Sequence, residues 1–375
     1  MTTLQQTVIP FVVQYLQNAQ KYCCVPFIWD PRKGKVVPSN RKGRILVFLS
    51  GVLHFVYVVL QVISLWRKSF PLAEKLEGVV IMLTYSAMFL FRFDIGADFG
   101  PMILLNTVLT SDKKSALHMD PALRKGVKFF CQLSKLVTYA FPYFITCMAL
   151  LFPCKPPLMG SMLHQNLEEC GGSYNYIVCV NLQKLIVASF EFIVSKQGTI
   201  SSLHYAIYSL LMGIIYLSIK CESLSRTKNP AMAFREVQVL ERVVNANIRW
   251  RLFPVTMGFI PIVQIFAGFA IVKLSSSGIN WLKLAMFGLV FLEVLVFNLI
   301  TVSSAANICN KSMDWLKTQK LRESGEHGTK AMRKFWRSCP PLKLRMGNNF
   351  VDRLTPLIVQ QFCSVQTMSL ILLSN

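Results

Sequence analysis

Long apolar stretches alternate with charged connectors along most of this chain. The hydrocarbon core of a bilayer is about 30 Å thick, so a helix that crosses it needs about 20 mostly apolar residues. Seven stretches meet this requirement, namely residues 45–66, 77–98, 131–153, 198–219, 253–274, 284–305 and 350–373. The pattern predicts an all-α membrane protein with seven transmembrane helices.

One further stretch, residues 176–194, is apolar only in part. It contains Asn181, Gln183, Lys184 and Glu191, and such side chains are costly at the centre of a bilayer. We interpret it as a helix packed outside the bilayer core. Counting it as a span would also move every later basic connector to the other side of the membrane.

The distribution of basic residues predicts the orientation. The chain has 40 Lys and Arg against 18 Asp and Glu, and short loops rich in Lys and Arg stay in the cytoplasm. Four segments hold 29 of the basic residues, namely 1–44, 99–130, 220–252 and 304–349, whereas the three alternate connectors, 67–76, 154–196 and 275–283, hold 7. The N-terminus is therefore expected in the cytoplasm and, after seven crossings, the C-terminus outside the cell. A G-protein-coupled receptor has the reverse orientation.

The same boundaries divide the chain into a cytoplasmic tail, residues 1–44, and a transmembrane bundle, residues 45–375. Two cytoplasmic connectors of the bundle, 220–252 and 304–349, are themselves patterned as helices. Apolar residues recur at helical spacing from Val237 to Ile248, and Trp315, Phe335 and Trp336 lie in the second connector. Two interpretations are open: these helices lie at the membrane interface, or they pack against neighbouring subunits.

Composition agrees with a lipid solvent, because 53% of the residues are hydrophobic, 15% are charged and the mean hydropathy is +0.45. The basic excess lies between apolar segments rather than along one polar face. Anionic lipid explains that placement, and no nucleic-acid partner is expected. The five His are scattered, and no nucleotide-binding, serine-hydrolase or zinc-peptidase motif occurs. We therefore expect no enzyme activity, no cofactor and no metal site.

Cys154, Cys170 and Cys179 share the predicted outer connector. The oxidising environment outside the cell permits a disulfide bond there. The sequence does not choose among the three possible pairings.

Charged residues occur at membrane depth in two of the predicted helices. Arg92, Asp94 and Asp98 lie at the cytoplasmic end of the second, where a structural clasp is favoured over a gating role because charges at a helix end can reach the interface. Glu293 lies deep in the sixth helix and should face the interior of the bundle.

Aromatic residues on the second to fifth helices form the candidate ligand site. Contact with lipid or with the protein core accounts for any one of them. Together they can line an apolar pocket with a few polar groups, which is how small organic ligands are usually bound. The candidates are Tyr85, Phe141, Phe144, Tyr205, Tyr208 and Phe266.

The seventh helix has a stripe of candidate pore residues. Cys363, Gln366, Leu370 and Leu373 recur at spacings of three and four, which places them on one side of a helix. A lipid-facing helix is the alternative, and the polar Gln366 and Thr367 at membrane depth argue against it. Polar groups at that depth need partners, and a water-filled path supplies them.

The end of the chain resembles the last helix of arthropod gustatory receptors. That helix typically closes with Thr-Tyr, five hydrophobic residues and Gln-Phe. Here Thr367 and the apolar run 370–373 keep the register, whereas Met368, Ser374 and Asn375 replace Tyr, Gln and Phe. The residues that precede the helix also resemble the family, namely Pro341, Leu342, Lys343, Leu344, Gly347 and Phe350.

The chain is also similar to these receptors in length, in number of helices, in its long outer connector after the third helix and in its basic connector before the seventh. It resembles a divergent member of the arthropod gustatory and odorant receptor superfamily. The resemblance implies a ligand-gated cation channel of the cell membrane that takes a small organic ligand. It further implies a homo- or hetero-tetramer in which the seventh helix lines the pore and cytoplasmic helices anchor the subunits.

Three other classes of membrane protein fit the sequence less well. A transporter of small organic solutes is the alternative, but helices broken by Pro and Gly usually occur at matching positions of two halves. Pro254, Gly258, Pro261 and Gly268 in the fifth helix have no such counterpart. A G-protein-coupled receptor is disfavoured by orientation and by the absence of its Asn-Pro-x-x-Tyr ending. A membrane enzyme is disfavoured by the absence of a His or acidic cluster.

Overall fold

A computed structural model describes residues 9–93, 99–112, 121–163, 182–227, 229–276, 281–324 and 329–374. These residues form helices apart from two small antiparallel hairpins, so the predicted all-α fold is confirmed. The first element is helix α1 (Ile9–Lys21), followed by the hairpin β1 (Phe27–Asp30) and β2 (Lys35–Pro38). Both lie in the predicted N-terminal tail and pack against the bundle.

The next helices contain the first half of the bundle. They are α2 (Arg41–Arg67), α3 (Leu72–Arg92), α4 (Gly100–Asp112), α5 (Pro121–Leu151) and α6 (Met159–Leu163). Helix α7 begins as Leu182–Leu203, passes through a π-helical stretch, His204–Leu211, and ends as Met212–Ser223.

The second half begins with α8 (Pro230–Ile248). Helix α9 comprises Leu252–Pro254, a π-helical stretch, Val255–Phe259, and Ile260–Ser276. It is followed by α10 (Trp281–Ser324), α11 (Lys330–Ser338), the hairpin β3 (Arg345–Met346) and β4 (Asn349–Phe350), and α12 (Thr355–Leu373).

Helix α2 shows which solvent the fold is built for. Its buried side chains are mostly polar, including His54, Gln61 and Ser64, and they recur every three or four residues on the side that packs against the bundle. Its apolar side chains point outward, and Phe48 is 58% exposed. A helix in water buries the opposite face, so this arrangement fits lipid.

Helix α7 is the central helix of the bundle. Every side chain from Tyr205 to Ile219 is buried. The first part of the helix contacts α1, α3 and α5, and its last part contacts α4, α8 and α10. The predicted fourth span, 198–219, is therefore part of a longer helix. Gly198 lies against His54 of α2 and Met88 of α3, which places the start of the predicted span beside the middle of α2 and the last turns of α3.

The stretch 176–194 is not a separate helix in its described part, which starts at residue 182. Residues 182–194 continue without a break into the rest of α7. Phe190 packs against the ring of Tyr57 with centroids 5.4 Å apart, so this segment lies beside the second half of α2. Because it forms one helix with the fourth span, the number of crossings does not change.

Six described helices are long and apolar enough to cross a membrane: α2, α5, α7, α9, α10 and α12. Helix α3 is not among them because Glu74, Lys75 and Glu77 crowd its outer end. The seventh helix begins at Thr355 rather than at Phe350, because residues 349–350 form a strand and Pro356 occupies the first turn of the helix.

The two predicted cytoplasmic connectors pack on each other. Phe234 of α8 stacks on Trp315 of α10 at 5.3 Å, and Trp315 meets Trp336 of α11 edge-on at 5.4 Å. Asn245 of α8 donates to the carbonyl of Lys343 at 2.9 Å and accepts from the amide of Arg345 at 2.9 Å. Helix α10 has 44 residues and is about 66 Å long, so its second half reaches this layer from the bundle.

Candidate functional site

A cavity of about 90 Å³ lies near the middle of the bundle. It is enclosed by the five helices that correspond to the second to sixth predicted spans, namely α3, α5, α7, α9 and α10. The lining residues are Thr84, Ala87, Met88, Phe91, Phe130, Val137, Phe141, Thr199, Ser202, Leu203, Ala206, Ile260, Val263, Val290, Glu293, Val294 and Phe297. The wall is therefore apolar with a few polar groups, as in sites for small organic molecules.

Three hydroxyl groups of the cavity are already committed as donors. The Thr84 hydroxyl donates to the Val80 carbonyl at 2.8 Å, and the Thr199 hydroxyl donates to the Ser195 carbonyl at 2.7 Å. The Ser202 hydroxyl donates to the Thr199 carbonyl at 3.1 Å. Their remaining lone pairs can accept a hydrogen bond from a ligand hydroxyl.

Glu293 of α10 is the one acidic residue of the lining. Its Oε1 is buried and has no hydrogen-bond partner among the described residues. The carboxyl group thus faces the bundle interior, as predicted, and it is available to a polar group that enters the cavity.

A second carboxylate lies in the layer next to the cavity. Glu191 is buried, and its Oε1 accepts from the Tyr57 hydroxyl at 2.6 Å and from the Met159 amide at 2.7 Å. The Tyr85 hydroxyl is 3.4 Å from its Oε2. These donors replace the hydration that burial removes, and they tie α7 to α2, α3 and α6.

A cluster of charges joins the helix ends outside the cavity. Glu77 of α3 is buried, and its Oε2 lies 3.0 Å from the ammonium group of Lys283 on α10 and 3.5 Å from that of Lys155. Both lysines also lie over the ring of Phe152. The cluster connects α3, α10 and the segment after α5.

The predicted ligand residues are divided by the structure. Phe141 lines the cavity, and Tyr85 stands behind it with ring centroids 6.1 Å apart. Phe144 shares with Phe141 a smaller void beside α10. Tyr205, Tyr208 and Phe266 do not line the cavity.

Tyr205 and Tyr208 lie in the π-helical stretch of α7 and face the other side. The Tyr208 hydroxyl donates to the Phe11 carbonyl at 3.0 Å, and its ring meets Tyr15 of α1 at 5.7 Å. Tyr205 lines a separate crevice between α2 and α3. These two residues were predicted because they are aromatic. Aromatic side chains also pack helices together, so this property alone does not identify a ligand site. The selection missed Thr84, Met88 and Ser202, which carry no distinctive signal in a sequence.

Helix α12 rests on α9 by one side. Cys363 is buried with its sulfur 3.9 Å from the Pro261 carbonyl, and Gln360 accepts from the Gln264 amide group at 2.8 Å. Thr367 lies against Gly268, where an added Cβ would come within 3.4 Å. The tighter neighbour of that Cβ would be Phe291 of α10 at 3.3 Å, so a small residue suits this point of contact among α9, α10 and α12.

The predicted pore stripe is therefore split. Cys363, Thr367 and Leu370 face the bundle, whereas Gln366 and Leu373 are exposed. The other exposed residues include Phe362, Val365 and Met368. The helical spacing of the stripe was predicted correctly. Because the stripe mixes apolar and polar residues, the sequence does not show which of them pack on a neighbouring helix.

Within the described residues no group of three or more His, Cys, Asp or Glu side chains is placed to bind a metal ion. Cys154 takes part in a disulfide bond, while Cys170 and Cys179 lie outside the described residues. Asp94 and Asp98 of the predicted clasp also lie outside them.

No protein-family model and no curated protein sequence matches this chain. Solved structures do match. The insect olfactory receptor OR5 from Machilis hrabei in complex with eugenol is 11% identical, with a TM-score of 0.56 over 98% of this chain and 99% of that chain. The structure of OR5 from Machilis hrabei gives 11% identity and a TM-score of 0.55 over 97% and 98% of the two chains. The resemblance found in the sequence is confirmed as a shared fold that spans nearly the whole of both proteins.

Proposed function

We propose that this chain, which has the fold of an insect olfactory receptor, is a chemosensory receptor that acts as a ligand-gated cation channel. The observation that carries the proposal is the extent of the match, which covers 98% of this chain and 99% of OR5. At 11% sequence identity a shared fold does not by itself imply a shared function, so the proposal rests on the fold and the site together. The solved structures that match are olfactory receptors rather than enzymes.

The ligand class is a small, mostly apolar organic molecule. OR5 has been solved with eugenol, an aromatic compound with one hydroxyl group, and the cavity here combines an apolar wall with hydroxyl acceptors and Glu293. At about 90 Å³, the cavity is below the range of about 300 Å³ and more that is typical of drug-sized ligands. A larger ligand enters by moving side chains, and Met88 is the most adaptable of them.

The pore is proposed beside the exposed side of α12. An apolar helix that packs on its own bundle by one side only, and that also exposes Gln361 and Gln366, is suited to a position between subunits and water. Four copies about an axis would place Gln366 and Leu373 toward the path. Cys363, Thr367 and Leu370 would hold the helix on α9. The assembly is a homo- or hetero-tetramer.

The topology follows the charge division, with seven spans, the N-terminus inside and the C-terminus outside the cell membrane. Helix α3 is the second of these spans and completes the seven. Its charged outer end can be accommodated because Glu77 is paired with Lys283 there. The disulfide bond of Cys154 supports an outer position for the connector after α5.

The decisive experiment expresses the chain in cells that lack other chemoreceptors, alone and with a candidate partner subunit. Whole-cell current is recorded during application of a panel of small aromatic volatiles that includes eugenol. We expect evoked currents whose reversal potential follows the cation gradient. Surface-expressed chain that never conducts, together with purified particles that image as monomers, would contradict the proposal and favour the transporter.

A further inference from the structure

A crevice of about 720 Å³ lies between α2, the end of α3 and the segment before β1. It is separate from the central cavity and about eight times as large. One end is lined by three arginines, Arg41, Arg44 and Arg92, and the other by the rings of Phe48, Phe55 and Phe89. The crevice therefore has a cationic end and an apolar end.

The buried member of the cationic end has no anion beside it among the described residues. Arg92 is 5% exposed, and its Nη2 lies 3.4 Å from the Val47 carbonyl. Its Nη1 is buried with no hydrogen-bond partner, and Arg92 forms no ion pair with any described residue. A buried guanidinium group is costly unless it is paired and hydrogen-bonded, and the described residues supply no anion for this one.

The start of α2 adds to the positive potential at this end. Arg41 and Arg44 are exposed and three residues apart, which places them on one side of the helix. The first turn contains no acidic residue, although the positive end of the helix dipole favours negative charge there. A phosphate group at this point would meet both arginines and the helix end.

The apolar end is open rather than packed. Phe48 and Phe55 are 58% and 50% exposed, and they share a side of α2 with Gly51. A Cβ added to Gly51 would meet nothing within 4 Å, so the absence of a side chain leaves room along the helix. An acyl chain is the natural occupant of such a slot in a bilayer.

We propose that this crevice is a binding site for an anionic phospholipid of the cytoplasmic leaflet. Its phosphate lies among Arg41, Arg44 and Arg92, and an acyl chain lies along Phe48, Gly51 and Phe55. A soluble phosphate would leave the apolar end empty, and a zwitterionic lipid would bring its own cation to the arginines. The inner leaflet, which carries the anionic lipids, is where the proposed topology places the start of α2.

The crevice is accessible in the proposed assembly. Helix α2 packs mainly on α3 and α6, whereas α12 packs on α9 and α10. The helix proposed to meet other subunits is thus on a different part of the bundle. Lipid binding at α2 requires neither an agonist nor a pore.

The test measures retention of phosphatidylserine by the purified full-length protein in mixed micelles, using native mass spectrometry. Phosphatidylcholine and inorganic phosphate serve as comparison ligands. We expect saturable binding of one phosphatidylserine per chain, weaker binding of phosphatidylcholine and no displacement by inorganic phosphate. Equal retention of the two lipids, or displacement by phosphate, would overturn the proposal.

Two variants test the two ends of the crevice. Gly51→Leu fills the apolar slot and should weaken phosphatidylserine binding at least about tenfold without loss of folding, since Leu favours a helix more than Gly does. The control is Gly288→Leu, because a Cβ there also meets nothing within 4 Å. It should bind as the parent does.

Arg41→Gln combined with Arg44→Gln removes two charges and should weaken binding about thirtyfold, since each surface Lys or Arg contributes about fivefold. Its control is Lys317→Gln combined with Lys320→Gln, an exposed pair at the same spacing in α10. If Gly51→Leu or the double arginine variant bound phosphatidylserine as tightly as the parent protein does, the proposal would also be overturned. None of these measurements depends on current, so their failure is distinct from failure of the channel proposal.

Discussion

The hydroxyl of Tyr57 donates a 2.6 Å hydrogen bond to the buried carboxylate of Glu191. The bond joins α2, which packs on the bundle by one side, to the central helix, α7. It also explains how a glutamate is accommodated within a helix that packs at membrane depth, because the carboxylate receives three donors from three other elements.

Replacement of Tyr57 by Phe should destabilise the fold. The change removes one donor and leaves a buried carboxylate oxygen less well satisfied, at a cost of about 1–3 kcal/mol. Thermal unfolding in detergent should shift to lower temperature. Tyr143→Phe is the control because Tyr143 is exposed, and equal unfolding temperatures for the two variants would show that the Tyr57 bond is unimportant.

The central cavity should determine which molecules activate the channel. Met88→Ala enlarges it, so larger agonists should gain potency and the smallest should lose about tenfold through lost contacts. Dose–response curves over a size series of agonists measure this. Phe266→Ala, from the sequence-predicted set but away from the cavity, should leave the order of potency unchanged; a reordering by Phe266→Ala alone would place the site elsewhere.

The exposed side of α12 should set ion selectivity. Gln366→Glu adds one negative charge per subunit beside the proposed path, and reversal potentials in salt-dilution experiments should move toward the cation equilibrium potential. Gln360→Glu is the matched control, since Gln360 is bonded to Gln264 and Glu still accepts that bond. Identical reversal potentials for parent and Gln366→Glu would remove α12 from the pore.

Asp352 should stabilise the start of α12. Its Oδ1 accepts from the Thr355 hydroxyl at 2.6 Å and from the amides of Leu354 and Thr355, and these bonds hold the pKa of Asp352 below its usual value. Because the pKa is lowered in the fold, the stabilisation is present above the ordinary aspartate pKa of about 3.9 and is lost as the pH falls below it.

Asp352→Ala should therefore cost about 1 kcal/mol and speed hydrogen exchange in the first turn of α12 about fivefold at neutral pH. Asp352→Asn keeps an acceptor oxygen and should exchange more slowly than the alanine variant. If parent and Asp352→Ala exchange alike, the cap has no role in ordering the helix.

The orientation should be visible in intact cells. Because basic residues are concentrated in alternate connectors, an epitope tag at the C-terminus should bind antibody without permeabilisation, and a tag at the N-terminus should not. A tag between α3 and α5, in the connector 99–130, serves as an internal control and should also be hidden. Staining of an N-terminal tag in intact cells would reverse the topology.

Local sequence pattern was sufficient for the helices and for the set of spans around the cavity. It did not join residues 182–194 to the helix that follows them, because the polar groups there are satisfied by distant partners. Tyr57 is 134 residues from Glu191 and Tyr85 is 106 residues away, and no window of sequence brings them together. A rule that counts polar residues therefore removed a segment that tertiary hydrogen bonds retain.

The candidate site was predictable in position but not in detail. Phe141 was identified because an aromatic residue is conspicuous, whereas Thr199 and Ser202 contribute through lone pairs left over after bonding to their own helix. In α12, the choice between Gln366 and Thr367 as the exposed polar residue depends on where Gly268 of α9 allows close contact. That information belongs to the partner helix.

The inverted polarity of α2 has a consequence for how the protein is made. The packed side of α2 reaches Glu191 through Tyr57, and only after 134 further residues have been added, which at about 5–20 residues per second takes on the order of ten seconds. During that interval a nascent first helix waits in the endoplasmic reticulum with His54, Gln61 and Ser64 facing lipid. An unpaired helix is exposed to misassembly for that time, so we expect the yield of folded protein to depend on translation speed between α2 and α7.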